Sequence, residues 1–131
     1  MITQDPYLVG PWVTEKAGGT WHPNRGTALG LLKDGKLVAG VLYEDWNGAN
    51  LMCHIRGEKG WANREFLRII FDYPFNFVGA KRLTAPIKST NIDAIKFVQK
   101  LGFALECVLS QATPDGDMHI YRIFREECKY L

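Results

Sequence analysis

The 131-residue sequence predicts a single α/β (α+β) domain, a mostly antiparallel sheet flanked by helices. Two kinds of pattern predict it. Asp34-Gly35, Asn47-Gly48 and Asp115-Gly116 each stand between apolar runs, and such pairs supply the positive φ angles that two-residue hairpin turns need. Two other segments, around Phe66 to Phe77 and from Asn91 to Leu101, carry apolar residues at helical spacing instead. With 47% hydrophobic residues and no internal repeat, low-complexity tract or linker, the chain has material for one core and no signal for dividing it.

The predicted strands are Thr27 to Lys33, Lys36 to Asp45, Asn50 to Arg56, Arg82 to Ile87, Phe103 to Ala112 and Asp117 to Arg125. Between the third and fourth, Phe66, Ile69, Ile70, Tyr73 and Phe77 recur on one side of a helix that packs on the sheet. Pro74 removes a donor and clashes with the preceding turn, at a cost of about 3 kcal/mol, so a kink or stop is expected there and Phe75 and Phe77 fall in a short extra turn. The second helix, Asn91 to Leu101, aligns Ile92, Ile95, Val98 and Leu101, with Thr90 or Ser89 as its expected N-cap and Gly102 as its left-handed exit. The order is β-β-β-α-β-α-β-β after a short N-terminal section.

A formal net charge of +2 is too mild to mark a nucleic-acid or membrane surface, and no basic stripe with interleaved aromatics is present. Cys53, Cys107 and Cys128 show no CxxC spacing, so no disulfide framework or zinc site is expected, and His22 and His119 have no partners at metal spacing. Cys53 and Cys107 are expected in the core, and a reducing cytosol suits all three thiols. The start, MITQDPYLVGPWVTEK, lacks a basic lead, and no apolar run approaches the roughly 18 residues that span a bilayer.

The stretch NIDAIKFVQKLGFALECVL resembles the signature of the GCN5-related N-acetyltransferases (GNAT): an Asn, an Ala shortly after it, a helix ending in K-L-G-F and a strand opening with a Glu. DGDMHIYRIFREEC is similar to the closing hairpin of the ribosomal-protein-acetylating branch, and short proteins of this appearance also occur in tailed bacteriophages. The resemblance runs from about Thr27 to the C-terminus. It implies a mixed central sheet of six to seven strands, splayed between the strands at Asn50 to Arg56 and Arg82 to Ile87, with acetyl-CoA as co-substrate, no metal, and an amine as acceptor. Glu106 is expected to meet a basic neighbour.

Under this resemblance the pantetheine arm enters the splay beside Ile55, Asn91, Ala94 and Phe97. The amide of Asn91 offers the donor and acceptor that pantetheine's peptide-like groups need, although an Asn at a helix start is also an ordinary cap. Family members hold the pyrophosphate on a Q/R-x-x-G-x-G/A loop before the first long helix. In HIRGEKGWANREF, Gly60 and Ala62 take the two small positions, Gly57 stands where Gln or Arg is expected, and Arg56 is one residue out of place. Backbone N–H groups carry most of such a grip, with Lys59, Arg56 and Arg64 as nearby charges, while Trp61 either touches the ligand or staples the helix start.

Acetyl transfer requires a neutral amine, and deprotonating a lysine of pKa about 10.4 at pH 7 costs on the order of 4 to 5 kcal/mol, so a general base is useful. The Tyr that many members place four residues before the Gly of the G-F pair is Val98 here, and the Glu of another subset is Pro86. His54 and Glu44 are the substitute bases, with a plain solvated strand position as the alternative for each; Ser89 is a candidate donor to the departing thiolate. Two readings follow: an N-acetyltransferase for a primary amine, or a non-catalytic module of the same fold that binds CoA or a protein partner. Relatives usually place a strand and two helices before the first secure strand, where only about 26 residues stand here. A homodimer is therefore expected to complete the acceptor groove, with exposed aromatics such as Trp12 or Trp21 marking the interface.

Overall fold

The computed structural model of the chain describes residues 1–61 and 63–131. A short strand β1 (Ile2–Thr3) leads into helix α1 (Pro6–Ala17), and β2 (Thr27–Lys33), β3 (Lys36–Glu44) and β4 (Asn50–Gly57) follow as a meander. Helix α2 (Arg64–Asp72) runs into a π-helical turn (Tyr73–Val78). Then come β5 (Arg82–Lys88), helix α3 (Ile92–Leu101), β6 (Ala104–Thr113) and β7 (Gly116–Phe124). The strands form one seven-stranded sheet in the order β1-β2-β3-β4-β5-β7-β6. Every neighbouring pair is antiparallel except β4 against β5.

The turns differ in how closely they follow the sequence pattern. Asp34 and Gly35 form a two-residue turn with φ of 54° and 78°, as the pair predicts. The Asn47-Gly48 connection is longer, because Asn47 Oδ1 accepts the N–H groups of Ala49 and Asn50 at 2.9 and 2.8 Å and builds a local turn of its own. In the last hairpin Thr113 pairs with Gly116, so Pro114 and Asp115 take the turn and Gly116 joins the strand.

The N-terminal section holds more structure than its length suggested. Asp5 accepts the N–H of Tyr7 at 3.0 Å and Pro6 occupies the first turn, a start that needs no donor from the proline. One strand and one helix therefore stand in the short section that was given no element from the sequence. Helix α1 lies on β2 and β3, burying Val9 and Val13 against Ala28 and Leu42. The approach is close: a Cβ on Gly40 would stand 2.9 Å from a Val13 methyl.

The opposite face carries the main core. Phe66, Ile70 and Phe71 of α2, Phe75 of the π-helical turn and Val98 and Leu101 of α3 pack on Val41, Tyr43, Cys53, Leu83, Tyr121 and Ile123 of the sheet. Each such side chain contributes roughly 1.5–3 kcal/mol by leaving water. Pro74 ends α2 as its missing donor requires, and Tyr43 donates its hydroxyl hydrogen bond to the carbonyl of Ile70 at the helix end. Phe77 is exposed and only stacks on Tyr73, with ring centroids 5.7 Å apart.

Two expectations about side chains fail here. Cys107 is exposed on β6, because β6 is an edge strand to which neither face of the sheet extends a helix; Cys53 alone of that pair is in the core. Trp12 and Trp21 are half-buried rather than exposed: Arg56 lies over the Trp12 ring at 3.9 Å, and Trp21 fills the space left by the missing side chain of Gly10.

Candidate active site

The site begins where the sheet opens. The β4 and β5 strands pair only through Asn50–Arg82, Leu51–Leu83 and Met52–Thr84, after which they diverge while β5 stays paired to β7. Pro86, which has no N–H to give a ladder, stands in the diverging part. On the other side of the gap the N–H of Glu58 bonds the Val38 carbonyl at 2.8 Å. Alternation along an antiparallel ladder then turns the N–H groups of Ile55 and Gly57 away from β3 and into the opening.

Helix α3 starts at this opening. Asn91 is its N-cap, accepting the Ala94 N–H at 3.2 Å, so neither Thr90 nor Ser89 takes that role. Ser89 instead faces the last hairpin, where its Oγ accepts the N–H of Asp117 at 3.2 Å, a partner its neighbours in sequence do not reveal. The other end of the Asn91 amide donates to the carbonyl of Lys16 at 3.2 Å, which ties the end of α1 to the start of α3. Lys16, Ile55, Gly57, Asn91, Ala94 and Phe97 line a cleft of about 210 Å³.

Past Gly57 and Phe97 the cleft continues into a larger recess of about 470 Å³, bordered by Gly60, Trp61 and Phe97 with Lys59, Lys96 and Lys100 around it. Gly60 has φ of +82° and open space where a Cβ would stand, so the backbone angle rather than crowding calls for glycine. Gly57 serves differently: a Cβ there would meet the Trp61 indole at 2.2 Å. Trp61 packs at 4.9 Å from Phe97 and 6.0 Å from Phe66, edge-on to the latter, and so joins the loop to both helices. Ala62 lies outside the described residues.

Arg56 points away from this recess. Its guanidinium donates to the Trp12 carbonyl and to Glu58, each at 2.6 Å, and its side chain retains only 11% of its surface. Strand alternation explains this, since Arg56 and His54 share the sheet face that α1 covers.

His54 and Glu44 meet on that same face. Nε2 of His54 lies 3.0 Å from a carboxylate oxygen of Glu44, and the two side chains retain 11% and 19% of their surface. Neither is a solvated strand position, because α1 and the Gly18-Gly19 segment roof them; Gly19 stands against the imidazole. A carboxylate on Nε2 holds that nitrogen as the N–H and leaves Nδ1 as the acceptor. Val98, 2% exposed, is in the core, and Pro86 offers no titratable group.

Elsewhere, Glu106 receives two hydrogen bonds from Arg82 at 3.1 and 2.9 Å, and the Arg82 guanidinium holds its carboxyl below the ordinary range. Burial pushes the Cys53 thiol up to about 12. Sequence reasoning missed Lys16 and Ala17 as cleft walls; Asp5-Pro6, a recognisable helix start, was the available signal for the element that carries them.

A mixed sheet that opens beside the parallel β4 and β5 pair, with a capped helix starting at the opening, is the fold of the GNAT acetyltransferases. No protein-family model matches the sequence, and no curated protein matches it. Solved structures do. A GNAT-family acetyltransferase from Bacillus anthracis is 19% identical over 79% of this chain and 68% of its own, with a TM-score of 0.63. Spermidine N-acetyltransferase from Vibrio cholerae, solved with CoA and spermine, is 16% identical over 81% of this chain and 69% of its own, with a TM-score of 0.67. A Streptococcus mutans protein is 18% identical over 95% of this chain and 98% of its own, also at 0.67. At these identities the likeness is one of fold.

Proposed function

We propose that this chain transfers an acetyl group from acetyl-CoA to a primary amine. The observation that carries the reading is the opening between β4 and β5, where outward N–H groups of Ile55 and Gly57 leave an unpaired ladder that an amide-bearing pantetheine arm satisfies. The residues present suit the rest of the co-substrate. Phe97 and Ala94 give the arm an apolar wall, and the Gly60 turn gives the phosphates a recess in which Lys59, Lys96 and Lys100 outnumber the carboxylates of Glu58 and Asp93.

The reaction asks little of side chains. The amine nitrogen bonds to the thioester carbon, the C–S bond breaks, and the thiolate leaves with a proton. One N–H of the diverging β4 edge polarises the carbonyl as an oxyanion donor does. His54 Nδ1 accepts the amine proton, held in that tautomer by Glu44, and the pair replaces the acid and base that Val98 and Pro86 do not supply. Ser89 is left to a structural role in this scheme, since its hydroxyl is committed to the β7 turn.

Calorimetric titration with acetyl-CoA and CoA tests the seat, and thiol release with spermine and peptide amines tests turnover. The likeness of the closing hairpin, DGDMHIYRIFREEC, to the ribosomal-protein-acetylating branch makes protein N-termini the first acceptors to try, and the spermine of the Vibrio cholerae structure makes polyamines the second. Micromolar binding followed by thiol release is expected. Absence of CoA binding overturns the reading, and binding without release for any amine would favour a non-catalytic CoA-binding module.

A further inference from the structure

The proposed reaction leaves the acceptor one way in. On the core face the opening is closed by α3, with Val98, Ile87 and Ala85 all buried. On the other face Gly19 stands against the His54 imidazole, and the Lys16–Asn91 bond closes the end towards the cleft. Where His54, Pro86 and Ala17 come together the remaining gap is about 10 Å³, room for about one water. An amine therefore arrives over β5, beyond the edge of α1.

Strand register shows what lies on that approach. Met52 and Thr84 pair, so two residues further along His54 and Pro86 stand level across the opening and share its α1 face. Pro86 pairs with Ile120 and Ile120 with Cys107, and Met118 on the same face pairs with Leu109. Directly opposed residues share a face, so an apolar strip runs from His54 across β5, β7 and β6. Pro86, Ile120 and Met118 are half-buried, and Cys107 and Leu109 are exposed. Helix α1 packs on β2, β3 and β4, short of this strip. Adjacent strands lie about 4.7–4.9 Å apart, so β5 to β6 spans about 10 Å, the length of about three residues of extended chain.

The charges beside the strip are engaged. Glu106 is bound by Arg82 at 2.9 Å, Glu127 by Arg122 at 3.4 Å and Glu44 by His54 at 3.0 Å. None of these three carboxylates is open to the second ammonium group of a polyamine, and Lys88, paired with Met118, repels it.

We propose that the strip seats the N-terminal segment of a polypeptide, its α-amino group at His54 and its next three residues, apolar and without positive charge, across Pro86, Ile120 and Met118. The seat rests on the acetyl-transfer reading and narrows its acceptor. The unbranched thioether of Met118 adapts to apolar side chains of different shape. An α-amino group also suits a lone imidazole base. At a pKa of about 7.7–8.0 roughly a tenth of it is neutral at pH 7, against fewer than about one in a thousand lysine-type amines at about 10.4.

Calorimetry on the CoA-loaded full chain tests the seat, with the peptide amides Ala-Leu-Phe-Leu and Ala-Lys-Phe-Lys and with spermine as probes. The apolar peptide is expected to bind at least 10-fold more tightly than either cationic probe, and to release thiol from acetyl-CoA with the highest kcat/KM. Met118→Lys, which puts a cation in the strip and outside the coenzyme cleft, should weaken the apolar peptide about 10-fold while CoA affinity and the melting curve stay at wild-type values. Ile120→Gln takes its place if that variant does not fold. Spermine binding as tightly as the apolar peptide, an apolar peptide that does not bind, or one indifferent to the substitution overturns the seat and leaves the acetyltransferase reading standing. Absence of CoA binding to the wild type overturns that reading and the seat with it.

Discussion

Asn91 donates a hydrogen bond to the carbonyl of Lys16, 75 residues earlier in the chain, at 3.2 Å, while its Oδ1 caps α3. One amide thus fixes both the helix that opens the cleft and the end of the helix that walls it. Replacing it with Ala removes a cap, costing about 1 kcal/mol, and lowers the melting temperature by roughly 3–5 °C. Asn91→Asp keeps an acceptor for the cap but loses the donor to Lys16. Thermal melts should therefore separate the two variants, with Asp closer to wild type, while calorimetry shows weakened acetyl-CoA binding in both.

Under the proposed reaction, Glu44→Gln and His54→Gln leave the β4 and β5 opening intact. Acetyl-CoA affinity is expected to stay at the wild-type value while kcat falls about 10²- to 10⁴-fold. Retained turnover in His54→Gln would remove the imidazole from the mechanism and leave the pair a packing feature under α1.

Gly60 separates backbone strain from charge. Any L-residue at φ of +82° is strained, so Gly60→Ala should cost on the order of 1–2 kcal/mol, and Gly60→Asn less because Asn tolerates the left-handed region. The side chain of a substitute points into open space, so it blocks nothing by bulk. Gly60→Glu should weaken CoA binding more than Gly60→Gln, and the difference should shrink as salt rises. Equal affinities for Glu and Gln would place the phosphates elsewhere.

Cys53 gives the pH dependence. Its folded thiol titrates near 12 against an ordinary value of 9.0, and burial is the cause. Folding favours the protonated form, so this contribution to stability is complete below pH 9 and is lost progressively as pH rises towards 12. Denaturant midpoints should fall across that window. With chain monomeric or paired, Cys53 should resist maleimide until the protein unfolds, since it is 1% exposed.

Legibility in the sequence followed the range of the interactions. The first hairpin, the stop at Pro74 and the exit at Gly102 were all readable, because each depends on residues within a turn of one another. The last hairpin was misread by one residue because Asp115-Gly116 and Pro114-Asp115 are both turn formers and only the Thr113–Gly116 pairing chooses between them. Ser89 was read as one of two caps or as a thiolate donor for a similar reason: its hydrogen-bond partner, Asp117, is 28 residues away. Within the site, Asn91 was legible as a cap-forming amide, whereas its bond to Lys16 was not.

By itself the sequence determined the kinds of element from Thr27 onward and most of their ends, through proline geometry, left-handed glycines and the periodicity of apolar residues. Tertiary structure alone decided that His54 meets Glu44, that Arg56 turns from the recess to Trp12, and that Cys107 lies on an open edge. Each of these depends on strand register and on which face α1 covers. Register is set by pairings between distant segments, whose free energy exists only once the sheet has closed.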